Sequence, residues 1–190
     1  YNLAIMYLNG DKYSKVPPVV RQLVSVDPSN GENYRLFTIA YANEQKGFND
    51  KIKNYNALAK KAKLPKTVKA YEDSARFFFD SAKAVADSAL TYNNIAEGFP
   101  MKVTFNEFST PGDTATLGGS ISNSTEQSQT YTMKVDFLDV TGKAIASQTA
   151  TVGPVAAGQS GRFRVSAAGP GIAAFRYAPL VDVTTIKPKS

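Results

Sequence analysis

The hydrophobic pattern of this 190-residue chain changes period close to Pro100. Before that point apolar residues recur at intervals of three, four and seven. Beyond it they alternate every second residue between glycine-containing turns. The first spacing places side chains along one stripe of a helix, and the second places them on one face of a strand. No regular element satisfies both, so the chain is expected to be an α+β protein of two domains, α-helical over 1–98 and a β-sandwich over 99–190.

In the first half, Leu3, Ala4 and Tyr7 open an apolar face that Asn9 and Gly10 interrupt. Val16, Val20 and Leu23 resume it, with Pro17 and Pro18 in a first helical turn, where a missing N–H costs nothing. Pro28 closes this helical hairpin. A new segment starts at Asn30 to Glu32, and its stripe is Phe37, Tyr41, Phe48, Ile52, Tyr55, Ala59 and Ala62. Continuity of the stripe through Gly47 predicts one long helix; the alternative is two helices, with Asn49 or Asp50 capping the second. Leu64 and Pro65 end this segment. A further helix from about Thr67 to Tyr92 carries Tyr71, Ala75, Phe78, Ala82, Val85 and Ala89 on an unbroken stripe.

The second half reads as short strands with turn signals every 8 to 12 residues, the pattern of an antiparallel Ig-like sandwich. Strands are expected around Val103 to Phe108, Thr114 to Ile121, Tyr131 to Phe137, Lys143 to Val152, Phe163 to Val165 and Ile172 to Tyr177, with a seventh over Val181 to Ile186. Gly118 and Gly119 point to a bulge or bend, Asp139 to Gly142 to a tight turn, and Gly153 to Gly158 to another.

Composition narrows the chemistry. The chain has neither His nor Cys, which removes Ser–His–Asp and Cys–His nucleophile pairs and Cys-ligated metal sites. Asp136 and Asp139 are the nearest approach to a carboxylate pair, but their odd spacing points them to opposite faces of a strand. A turn cap for Asp139 is the simpler role. The expectation is therefore a non-enzyme with no cofactor and no metal. No apolar run reaches the roughly 18 to 20 residues needed to span a bilayer. The net charge of +6 is spread over both halves: residues 1–98 hold 14 basic and 10 acidic side chains, and the rest 8 and 6. Lys60, Lys61, Lys63, Lys66 and Lys69 bracket the Leu64–Pro65 turn. They read either as a contact for phosphate or an anionic surface, or as a solvated helix end. Without an Arg cluster or a base-stacking motif, no nucleic-acid partner is expected.

The first segment resembles a tetratricopeptide repeat. Leu3, Ala4 and Tyr7 match its first helix; Val16, Val20 and Leu23 fall at its second-helix packing positions; Asp27-Pro28 matches its closing dipeptide; and Tyr34, Phe37 and Tyr41 restart the pattern. Val16 stands where Ala is usual, and the insertion from about Lys46 to Lys69 is too long for a 34-residue period. Because isolated repeats cannot bury their faces, the resemblance implies a truncated N-terminus with further repeats before Tyr1. Residues 101–179 resemble the FxLYD-type β-sandwich of bacterial envelope proteins through Val103-Thr104-Phe105, Gly119 to Asn123, Val135 to Gly142, Gly153-Pro154-Val155, Gly158 and Phe163. That resemblance implies a non-catalytic, extracytoplasmic module, periplasmic or at the cell surface.

A tetratricopeptide-like groove would be lined by Tyr1, Ile5, Leu8, Arg35, Ile39 and Ala42, a largely apolar set suited to a protein partner or a neighbouring repeat. Ile5, Leu8, Arg35 and Ile39 are the candidate partner-binding residues of a scaffold or interaction module. The rival reading is a small-ligand or glycan-binding module on the sandwich loops or near Glu97 to Met101, with Tyr131, Arg162, Arg164 and Tyr177 for stacking and hydrogen bonding. Phe77, Phe78 and Phe79 cannot all face one core; packing within the chain is expected for the flanking pair, with a partner as the alternative. Asn123-Ser124-Thr125 fits a glycosylation sequon.

Overall fold

A computed structural model describes residues 1–186. Four α-helices precede six strands: α1 (Asn2–Asn9), α2 (Val16–Val26), α3 (Gly31–Lys61), α4 (Pro65–Gly98), β1 (Met101–Ser109), β2 (Thr114–Asn123), β3 (Gln129–Leu138), β4 (Ala144–Val155), β5 (Ser160–Ala168) and β6 (Ala174–Tyr177). The chain forms two compact units. One holds Tyr1–Arg21 and Tyr34–Asn94; the other holds Gln22–Asn33 and the chain from Ile95 onward. The Asp27–Pro28 dipeptide that closes the first hairpin thus lies in the unit containing the sheets.

In the helical unit, α1 and a 3-10 turn at Tyr13–Lys15 lead into α2, with Pro17 and Pro18 in its first turn. Ala4, Val16, Val20, Leu36, Phe37 and Ala40 are buried. α3 runs unbroken through Gly47, where an added Cβ would meet nothing within 4 Å. Pro65 opens α4, a first-turn position that tolerates its missing N–H. α3 and α4 are antiparallel, as ring contacts show: Phe37 stacks on Tyr92 at 4.2 Å, Phe48 on Phe78 at 6.0 Å, and Tyr55 meets Tyr71 at 6.2 Å. Beyond Lys51 no residue of α3 is fully buried. The far half of the hairpin is held instead by half-buried aromatic rings and by Lys51, whose ammonium lies 4.8 Å from the Phe78 centroid.

In the second unit, β1, β2 and β5 form one antiparallel sheet in the order β1-β2-β5, and β4, β3 and β6 form another in the order β4-β3-β6. The chain changes sheet between β2 and β3, β4 and β5, and β5 and β6, the connectivity of an Ig-like sandwich. Leu117, Ile121, Met133, Val135 and Phe137 are sealed from solvent at alternate positions. Each such side chain contributes roughly 1.5–3 kcal/mol of burial.

Three sequence expectations shift. The irregularity expected at Gly118-Gly119 sits opposite them, where the register slips between Phe105 and Glu107 of β1. Gly119 is needed for close approach: a Cβ there would lie 2.2 Å from the Thr104 carbonyl oxygen and 2.7 Å from the Phe163 ring. β4 continues past Gly153 to Val155 through a cis Gly153–Pro154 bond, so the turn is shorter than expected. Val181 to Ile186 forms no strand; Val183–Thr185 is a 3-10 turn whose Thr184 N–H and hydroxyl donate to the Asp182 carboxylate. The Asp139 to Gly142 turn forms as expected, with Gly142 at φ 84° and Asp139 accepting from the Thr141 and Lys143 amides.

The Gln22–Asn33 segment is tied to the sheets by a buried polar cluster. Tyr177, 4% exposed at the end of β6, donates its hydroxyl hydrogen to the Asp27 carboxylate. The same hydroxyl accepts from the Ser29 amide at 3.3 Å, and the Ser29 Oγ accepts from the Leu180 amide at 2.9 Å. Asn30 caps α3 by accepting from the Glu32 amide at 3.0 Å and donates to the second Asp27 oxygen at 2.7 Å. Gly31 lies so close to Ala96 that a Cβ would stand 2.6 Å from that residue's carbonyl oxygen.

Candidate functional site

The four residues singled out on the helices fall into two pairs. Ile5 and Leu8 of α1 are half-buried. Arg35 and Ile39 lie one turn apart on α3 and are exposed; Arg35 already engages a partner group, and Ile39 is 40% exposed. Leu3 and Met6, on the remaining face of α1, are more open still, at 48% and 69%. Next to Ile39, the Thr38 hydroxyl is buried and makes no hydrogen bond. That differs from Ser74, Ser81, Ser88 and Thr91 on α4, each of which donates to the carbonyl four residues earlier.

Phe77 and Phe79 overturn the expectation of packing within the chain: they are 65% and 60% exposed, while Phe78 between them is half-buried against Phe48 and Tyr55. The cause is the 100° helical step, which throws the flanking rings to either side of the stripe that α3 covers. Leu90 of the same helix is 62% exposed. The helical unit thus presents several separated large apolar side chains to solvent. An open cleft of about 340 Å³ lies between the 3-10 turn and α3, lined by Asp11, Tyr13, Asn43, Glu44, Phe48 and Lys51. The Asp11 carboxylate accepts the Tyr13 hydroxyl and thereby raises the tyrosine pKa.

On the sandwich, the residues of the rival ligand-binding reading are mostly committed elsewhere. Tyr131 is 7% exposed and donates to Asn123 Oδ1 at 3.0 Å. Tyr177 is held in the cluster described above. Neither ring offers a stacking platform. Arg164 forms a bidentate pair with Glu107, at 2.8 and 3.2 Å, across Gly118. Arg162 flanks the resulting open depression of about 580 Å³ on the outer face of β1, β2 and β5. Asn123, the sequon asparagine, is 2% exposed, and its amide donates to Gln127 O at 2.7 Å and Val155 O at 2.9 Å. It is a structural hub, and in the folded chain that nitrogen is unavailable for a glycan. Asp136 and Asp139 do separate. Asp139 serves its turn, while Asp136 accepts from Ser147 at 2.6 Å and from Arg176 at 3.1 Å; chiefly the Ser147 bond, then Arg176 and Lys134, hold its pKa below the usual carboxylate range.

Together these features define an α+β chain with a helical-hairpin unit and an Ig-like sandwich unit; most of the exposed large apolar side chains among the described residues lie on the helices, while the most exposed of them, Val140 at 87%, stands in the β3–β4 turn of the sandwich. No protein-family model and no curated protein sequence matches the chain. Among solved structures, IrmA from Escherichia coli is similar at 10% identity over 41% of this chain and 72% of its own, with a TM-score of 0.33. A DUF1425 family member from Shewanella sp. pv-4 is similar at 10% identity over 41% and 74%, with a TM-score of 0.34. The alkylpurine DNA glycosylase AlkC from Pseudomonas fluorescens, in complex with DNA containing an abasic site analog, is similar at 14% identity over 87% and 58%, with a TM-score of 0.28. Likenesses this distant bear no argument about function. Among the described residues, no helix is long and apolar enough to cross a membrane.

Proposed function

We propose that the chain is a non-enzymatic protein-interaction or scaffold module of the bacterial cell envelope, acting outside the cytoplasm, with the helical unit as its contact surface. The observation that carries the reading is the exposure of large apolar side chains on α1 and α3: Leu3 at 48%, Met6 at 69% and Ile39 at 40%. Apolar anchors of this kind, at helical spacing, are what a groove- or helix-binding protein partner engages. The envelope assignment rests on the resemblance of residues 101–179 to FxLYD-type sandwiches.

The test is affinity capture from an envelope extract, with the Ile5→Asp/Ile39→Asp double variant alongside. A specific protein retained by the parent chain and lost from the folded variant supports the scaffold reading. Retention of polysaccharide with no protein partner would sink it in favour of ligand binding by the sandwich, where Arg162 and Arg164 are exposed and Arg164 is already paired with Glu107.

A further inference from the structure

The turn between α3 and α4 is the most concentrated charge in the molecule. Between Lys60 and Lys69 lie five lysines and no acidic residue. All five are exposed, and no ion pair engages them among the described residues. The contrast is Lys53, about two turns before, which pairs with Asp50 at 3.7 Å. Glu72 and Asp73 begin only a turn further along α4. Leu64 stands in the turn, with lysines before and after it, 68% exposed and followed by an exposed Pro65. The turn lies about 20 Å along α3 from the Phe48–Phe78 contact, taking 1.5 Å per helical residue. That length carries the charges past the aromatic layers holding the hairpin together.

We propose that this tip docks on the surface of an anionic phospholipid bilayer. Exposed lysines on both sides of one exposed apolar side chain suit that partner on both counts. The ammonium groups lie within a Debye length of the lipid phosphates, and Leu64 enters the headgroup boundary, where its exposed side chain leaves water. A nucleic acid would draw on the charges alone and leave Leu64 unused; base-stacking aromatics and arginine forks, which such partners favour, are missing from 60–69.

The test is vesicle flotation of the full chain with phosphatidylcholine vesicles and with phosphatidylcholine vesicles containing about one-third phosphatidylglycerol. The expected result is flotation with the anionic vesicles alone, weakened by salt. At about fivefold per lysine, Lys63→Gln/Lys66→Gln lowers the partition coefficient roughly 25-fold. Leu64→Ser lowers it about tenfold by removing the apolar insertion. A variant of matched net charge on the sandwich, Lys102→Gln/Lys134→Gln, retains parental binding. Circular dichroism confirms that each variant is folded. Equal flotation with both vesicle types, failure to float with either, or equal weakening by the sandwich variant overturns the proposal. So does binding to a short DNA duplex that depends on the tip lysines while vesicles are ignored; that outcome assigns the tip to nucleic acid.

Discussion

Replacing Tyr177 by Phe removes one oxygen from the buried cluster that joins Gln22–Asn33 to the sheets. Two bonds go with it: the one donated to the Asp27 carboxylate and the one accepted from the Ser29 amide. A hydrogen bond to a charged group is worth about 1.5–3 kcal/mol, and a buried amide left without an acceptor costs about 1–3 kcal/mol. Because Ser29 is fully buried, water cannot replace the lost acceptor. The combined loss is taken as about 3 kcal/mol, roughly two orders of magnitude in the unfolding equilibrium. Urea denaturation of the full chain, followed through the backbone amide resonances of β3 and β6, measures it. Asp27→Ala and the double variant close a cycle, with an expected coupling above about 1 kcal/mol. The cluster also sets a pH dependence. Burial, and next the Asp27 carboxylate, push the Tyr177 hydroxyl above the ordinary tyrosine pKa. The unfolded chain therefore releases this proton first, and the stabilisation, complete below about pH 10, declines as pH rises beyond it. Tyr177→Phe should remove that decline. A loss below about 0.5 kcal/mol with additive single variants would refute the reasoning, because it would show that the turn contributes nothing to the sheets.

Other expected outcomes follow the same logic. Gly119→Ala should cost at least about 1–3 kcal/mol by thermal unfolding, since its Cβ collides with the Thr104 carbonyl and the Phe163 ring. Thr38→Val should leave stability unchanged or raise it by about 1 kcal/mol, because it replaces a buried, unbonded hydroxyl with a methyl group. Asp136→Asn should cost about 1.5 kcal/mol at pH 7 by weakening bonds from Ser147 and Arg176. The Asp136 pKa is depressed in the folded chain, so this stabilisation is complete above the ordinary carboxylate pKa and is lost as pH falls through the folded value. Denaturation curves of parent and variant should therefore converge under acid.

Much of the architecture is legible in the residues because it is local. The stripe from Phe37 to Ala62 carries α3 through Gly47, and Tyr71 to Ala89 lays out α4. Alternation from Tyr131 to Phe137 marks β3, and Asp139 with Gly142 marks the turn after it. What escapes is set by distant partners. Tyr131 and Tyr177 read as ring platforms with polar tips until Asn123 and Asp27 claim their hydroxyls. The Ser29–Tyr177 bond spans 148 positions, which no periodicity reports. The slip beside Glu107 answers the missing side chains of Gly118 and Gly119, so the glycines flag the right place on the wrong strand. Val181 to Ile186 alternates like a strand, but Asp182 captures the Thr184 amide and winds the segment into a turn. For the exposed apolar surface the sequence is weaker: Ile39 is exposed, as the groove pattern expects, whereas Phe77 and Phe79, expected to pack, are left in solvent.

The contact surface itself can be mapped in living cells by replacing single residues with a photo-crosslinking phenylalanine analogue, at Ile5 and Ile39 on the helices and at Arg162 on the sandwich. The expected result is a discrete protein adduct from both helical positions and none from Arg162. Adducts confined to Arg162, or no adduct from either helical position in a folded and abundant chain, would contradict the assignment of the helical unit as the partner-binding surface.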